Sequence, residues 1–176
     1  MSGPPTVHEL FIPGDATRRQ YAVYLIVIQE RAARRTAAVY VGKVGDNREG
    51  CNPVASRIGN HLSFNKVHSQ TRNLVNATAD YDYRVFFAFF GEYVDPKTSR
   101  AGISLVNEME RELNRRAQEA FGSLVANPWK GTGSVNRVER ARRAAMHTLE
   151  TGQVLDAIIE AARTHVLIPT SEPRRA

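Results

Sequence analysis

The sequence predicts an α+β domain built on a three-stranded antiparallel sheet flanked by helices, with a helical C-terminal extension. Three observations lead there. Residues 21–28 (YAVYLIVI) are apolar on both alternating faces and rich in β-branched and aromatic side chains, as in a strand covered on both sides. Two more strand-like runs, 37–42 and 83–90, end at Gly42 and Gly91. Residues 103–121 repeat apolar positions with helical spacing at Leu105, Met109, Leu113 and Ala117.

Taken in order, residues 1–19 hold Gly3, Pro4, Pro5, Pro13 and Gly14 with little periodicity and read as an extended arm. Strand 21–28 follows, and the short polar break QERAARRT joins it to strand 37–42 as an antiparallel hairpin. Residues 43–52 are a loop. Pro53 then suits the first turn of a helix in which Val54, Ile58 and Leu62 form an apolar stripe, leaving Arg57 and His61 together on another face. Residues 64–80 are polar and irregular, 83–90 form the third strand, and 103–121 are a helix. Beyond the turn at 122–134, the pattern predicts helices at 135–149 and 153–166, divided at Thr151-Gly152, and a frayed tail at 169–176. The organisation expected is an arm (1–19), a core domain (20–133), a helical extension (134–168) and the tail.

Composition narrows the function. The chain has 176 residues, 42% hydrophobic and 24% charged, which excludes wholesale disorder and two large domains. No apolar run approaches the ~18 residues that span a bilayer, and the N-terminus lacks the pattern of a signal peptide. Cys51 stands alone, so neither an internal disulfide nor a Cys-rich zinc site is expected, and a cytoplasmic protein is the default reading. Twenty-four basic against 18 acidic residues give a net charge of +6. Polyanions, phosphate above all, are the expected partners. Most of the basic residues are Arg, whose planar fork pairs phosphate bidentately, although the same bias arises in a GC-rich genome.

The order strand, strand, helix, strand, helix carries Tyr24 in the first strand, Tyr40-Val41-Gly42 at the end of the second, Arg57 and His61 on the first helix, and Glu110 on the long helix. This set resembles the GIY-YIG nuclease family. Ala22-Val23-Tyr24 stands at the GIY position, Tyr40-Val41-Gly42 at the YIG position with Lys43 after it, and Arg57 and His61 match an Arg-x3-His on the first helix. Glu110, followed by Leu113, matches the metal-binding Glu, and Asn127 before Pro128 matches a later Asn. The resemblance covers about residues 20–130. It implies an endonuclease that hydrolyses DNA phosphodiester bonds with one Mg2+ or Mn2+ on Glu110. Tyr24, Tyr40, Lys43, Arg57, His61 and Glu110 are then catalytic, and Gly42 and Asn127 lie at the substrate. DNA is the implied partner, with a second copy of the chain as an option. The alternative is a nucleic-acid-binding domain on the same fold without activity.

The residues support a compatible chemistry on their own. A phenol has a reference pKa of about 10, so a Tyr that handles a proton needs nearby cations; Lys43, Arg57 and His61 are candidates. On a helical wheel Glu108 and Glu112 share one side and Glu110 points roughly opposite, among Val106, Ala117 and Phe121, so Glu110 is expected to face the core. None of its i±3 or i±4 neighbours is a cation, which favours a cation from elsewhere. Arg137, Arg140, Arg143 and His147 make a basic stripe that reads either as a phosphate-tracking surface or as a solvated face. Rival chemistries fare worse. His61 and His68 have no further ligands at zinc spacing. The one carboxylate two residues before a Lys, Asp95-Pro96-Lys97, falls in a turn. KGTGS at 130–134 is no phosphate-binding loop.

Overall fold

The computed structural model describes residues 9–46, 52–64, 70–75, 78–131 and 135–167. The arm's first eight residues, Cys51, His68 and the tail 169–176 lie outside them. Three strands, β1 (Gln20–Glu30), β2 (Arg35–Val44) and β3 (Tyr81–Glu92), form an antiparallel sheet in the order β2-β1-β3. The α+β class and the central place of the first strand are as the sequence predicts. Every residue from Tyr21 to Ile28 is buried because β1 has a neighbour on each edge and a layer on each face.

Those two faces divide by parity. Tyr21, Val23, Leu25 and Val27 pack into a core with helices α3 (Ala101–Phe121) and α5 (Leu149–Arg163). Ala22, Tyr24, Ile26 and Ile28 face the opposite way, towards Val54 of α1 (Val54–Leu62). The five-residue helix α2 (Gln70–Leu74) lies in the stretch expected to be irregular. Helix α3 buries Val106, Met109, Leu113, Ala117 and Phe121, the apolar stripe read from the sequence. Its first turn passes under Tyr21, where Gly102 has no side chain to collide with the ring; a Cβ there would lie 2.1 Å from Tyr21 Cε2.

The C-terminal helices are divided differently from the expectation. Helix α4 is Arg137–Ala144 and α5 begins at Leu149, so Thr151-Gly152 lies in the first turn of α5. The reason is a capping box: Thr148 Oγ1 accepts from the Thr151 N–H at 3.2 Å, and the Thr148 N–H donates to Thr151 Oγ1 at 3.0 Å. Two helix-breaking residues are tolerated there because the first turn has few internal hydrogen bonds to lose. Leu155, Ile158, Ile159 and Ala162 of α5 belong to the same core as α3, and burying each of the three large side chains contributes about 1.5–3 kcal/mol. Helix α4, by contrast, buries none of its residues.

The outer edge of β2 is covered by chain from elsewhere. Val125 forms an isolated parallel bridge with Val39, the Ala126 N–H donates to Val39 O at 2.9 Å, and the Thr36 N–H donates to Leu167 O at 3.2 Å. Asn127 continues this edge with its side chain. Its Oδ1 accepts from the Val41 N–H at 3.1 Å and its Nδ2 donates to Val41 O at 2.7 Å, imitating a strand residue. No helix among the described residues is long and apolar enough to cross a membrane.

Candidate active site

The strand register brings the two tyrosines to one face. Tyr24 pairs with Gly42 and Ile26 with Tyr40, which sets Tyr24 and Tyr40 diagonally across β1 and β2. Gly42 is needed for this: the Tyr24 ring lies over it, and a Cβ on residue 42 would fall 2.3 Å from Tyr24 Oη. In the structure Gly42, which the resemblance puts at the substrate, makes room for Tyr24.

Helix α1 crosses this face and delivers its i, i+4 pair to Tyr24. The hydroxyl lies 2.5 Å from His61 Nε2, and Arg57 Nε donates to it at 3.4 Å. The His61 ring meets the Tyr24 and Tyr40 rings edge-on, with centroids 5.6 and 5.0 Å away. Tyr24 and His61 are both fully enclosed, whereas Tyr40 is half-buried. Burial, aided by the Arg57 charge, pushes the His61 pKa down to about 4, so the imidazole is neutral at neutral pH. Its Nδ1 is buried with no partner among the described residues. Burial raises the pKa of both phenols and outweighs the lowering by Arg57, so both keep their protons.

Lys43 and Glu110 complete the group. Lys43, one residue beyond Gly42, donates from Nζ to Glu110 Oε2 at 2.5 Å and lies 3.4 Å from Asp46 Oδ2. The external cation expected at Glu110 is therefore Lys43. Burial raises the pKa of the Glu110 carboxyl, with Lys43 pulling only partly the other way. The Lys43 ammonium, pushed down by burial, is raised on balance by its two carboxylates.

The structure corrects two expectations, for Glu110 and for Arg143, and gives Asn127 a backbone partner. Glu110 does not point into the core; its side chain is 25% exposed, whereas that of Glu108 is 9% exposed. The cause is α4 and the turn after it, which cover the Glu108 side of α3: His147 Nε2 lies 3.0 Å and Arg143 Nε 3.8 Å from Glu108 carboxylate oxygens. Arg143 consequently leaves the basic stripe and also pairs with Glu139 at 2.9 Å. Arg137 and Arg140 remain exposed, with Arg140 donating to Val135 O at 3.4 Å. Asn127 has its amide on the Val41 backbone, so it fixes β2 beside Tyr40.

Two contributors were missed from sequence. Asp46 carried a usable signal, three residues beyond Lys43 in a turn-forming loop. Asn114, one turn beyond Glu110, donates from Nδ2 to Asn127 O and accepts from the Trp129 N–H, both at 2.8 Å, which ties α3 to β2 through Asn127. Nothing in its neighbours distinguishes it from a surface Asn.

The donor set around Lys43 is compatible with a divalent ion. Glu110 and Asp46 supply hard carboxylate oxygens, are partly open to solvent, and already hold a positive charge between them. Mg2+ is commonly held by one or two carboxylates and completed by water and phosphate oxygens. Among the described residues, no group of three or more His, Cys, Asp or Glu side chains could hold a metal by itself. Comparison with protein families, with curated proteins and with solved structures finds no match to this chain.

Proposed function

We propose that the protein is a divalent-metal-dependent endonuclease of GIY-YIG type that acts in the cytoplasm and hydrolyses DNA phosphodiester bonds. The observation that carries this reading is the meeting of Tyr24, Tyr40, Arg57 and His61 on one face of the sheet, beside the Lys43–Glu110 pair. Separate elements, remote in sequence, supply them. The net charge of +6 and the exposed Arg137 and Arg140 favour a polyanionic substrate.

Burial divides the roles of the tyrosines. Tyr24 is enclosed and engages both Arg57 and His61, so it positions them. Tyr40 is the phenol with open surface and can accept a hydrogen bond from the attacking water. Arg57, with Nε turned to Tyr24, keeps its terminal nitrogens for the phosphoryl oxygens. Glu110, with Asp46 near it, would hold one Mg2+ or Mn2+, which when bound supplies positive charge for the departing alkoxide. Lys43 keeps Glu110 turned towards β2.

Plasmid incubated with the protein and Mg2+ is expected to be cut. EDTA or Glu110→Gln abolishes cutting, while DNA binding stays within a few fold, since the ion acts on the reaction more than on docking. Full activity of Glu110→Gln with loss in Glu108→Gln or Glu112→Gln would move the ligand to another carboxylate. A second reading, an inactive DNA-binding domain, draws on Lys43, whose ammonium satisfies Glu110 and Asp46 without a metal. DNA binding by the wild-type protein with no cleavage under any divalent ion selects that reading.

A further inference from the structure

On the side of α3 opposite Glu110 lies a cavity of about 500 Å3, lined by Glu108, Arg111, Glu112, Arg115, Trp129 and His147, among others. This volume suits one small ligand unit. The Trp129 ring is 41% exposed, and the Arg111 guanidinium lies over it at 5.0 Å from the centroid. The backbone N–H of Trp129 is held by Asn114, so the ring is presented from a fixed point.

The charges of the cavity are already matched. Glu108 is engaged by Arg111, His147 and Arg143. Glu112 is bonded by Arg115 and Arg116, which hold its carboxyl down to about 2. Glu119 takes the other side of Arg115. A free phosphate would have to compete with these carboxylates for the same guanidinium groups. A flat, uncharged heteroaromatic ring would not, and the buried Arg111 Nε has no partner among the described residues, leaving one donor unsatisfied at the stack. Position narrows the ligand further. Asn114 shares the face of Glu110 one turn away, about 6 Å along the helix, and Trp129 follows by two residues the Asn127 that clips Val41 beside Tyr40.

We propose that this cavity is a nucleobase subsite, in which an unpaired base of the DNA strand stacks on Trp129, across α3 from Glu110 and tied to the Glu110 face through Asn114. The inference rests on the endonuclease reading for its substrate. Its own content is the base, since stacking on an aromatic ring is available to every base and needs no extra charge.

Trp129 is the single tryptophan of the chain, so its emission reports on this cavity alone. The full-length protein in EDTA is titrated with a short single-stranded oligodeoxythymidylate and with an abasic oligonucleotide of the same length. The expected result is saturable quenching by the first, with the abasic strand binding about 5–100-fold more weakly. Trp129→Ala, read by anisotropy of a labelled strand, is expected to lose a similar factor, and Trp129→Phe to stay within a few fold of wild type. Equal titration by both strands, or binding that leaves the emission unchanged, overturns the subsite. Quenching by a protein that never cuts DNA keeps the subsite and removes the endonuclease. Cleavage with a silent Trp129 does the reverse, and no binding of either strand overturns the subsite.

Discussion

Replacing Gly42 by Ala tests how the sheet and the candidate site depend on each other. The added Cβ would stand 2.3 Å from Tyr24 Oη, 2.4 Å from Cζ and 2.8 Å from Cε2, all inside the 3.4 Å at which ordinary contact begins. Tyr24 is 0% exposed, so its ring has no solvent to move into. The hydroxyl must shift by about 1 Å, which the 2.5 Å bond to His61 does not survive. Overpacking of this kind costs about 1–3 kcal/mol, and the lost hydrogen bond adds roughly 0.5–1.5 kcal/mol. A chain of this length then loses roughly 3–18 °C in Tm. Gly59→Ala is the control, because nothing lies within 4 Å of its added Cβ; inside α1 it is expected to stabilise by about 0.5–1 kcal/mol. Thermal and urea melts of both variants give the comparison. In the DNA cleavage assay, Gly42→Ala is expected to lose about 100-fold, the scale of a 1 Å misplacement in a reacting group. A Gly42→Ala protein that melts with wild type would refute the account of why glycine stands there and, with it, the placement of Tyr24.

Arg57→Lys keeps the charge but not the planar fork; cleavage is expected to fall by at least ~10-fold while Tm changes little, and kinetics equal to wild type would remove Arg57 from the site. His61 sets an acid limit on stability: its folded pKa of about 4 lies below the ordinary 6.5, so its contribution is complete above pH 6.5 and is lost as pH falls towards 4. Urea melts at pH 7 and 4.5 are expected to differ by about 2–3 kcal/mol from this group, and a His61→Gln protein with an undiminished pH dependence would contradict the assignment. Glu112, held near 2, adds its own loss only below its ordinary 4.5, so the two effects separate along the pH axis.

The parts of this protein legible in its sequence are those set by local pattern. An apolar run with both parities filled could be only a strand enclosed on both faces, and β1 is one. Arg57 and His61, four apart on a helix, had to project together, and they reach the same hydroxyl. Parity allowed Tyr24 and Tyr40 to share a face, but their separation depends on a hairpin register that the turn residues do not specify. The wheel placed Glu108 and Glu110 on opposite sides of α3 correctly. It failed on which side is covered, because α4 is recruited by ion pairs to Glu108 and not by an apolar stripe of its own. Asn127 was read as a turn residue or a ligand, and its use as a substitute strand residue depends on Val41, far away in sequence.

The covered edge of β2 also limits how the sheet can grow. Backbone groups of Thr36, Val39 and Val41 on that side are already bonded to chain from 126–127 and 167. Among the described residues, the outer edge of β3 has no neighbouring strand, and that of β2 has only the bridge at Val39 and the bonds at Thr36 and Val41. A sheet with two open edges can add copies without end and become a fibre, but one with a single open edge can add only one. Two copies meeting there must pair β3 with β3 about a twofold axis, giving six strands with β2 at both outer edges. The asymmetry between the two edges thus favours β3 over β2 as the place where strand-to-strand addition can start.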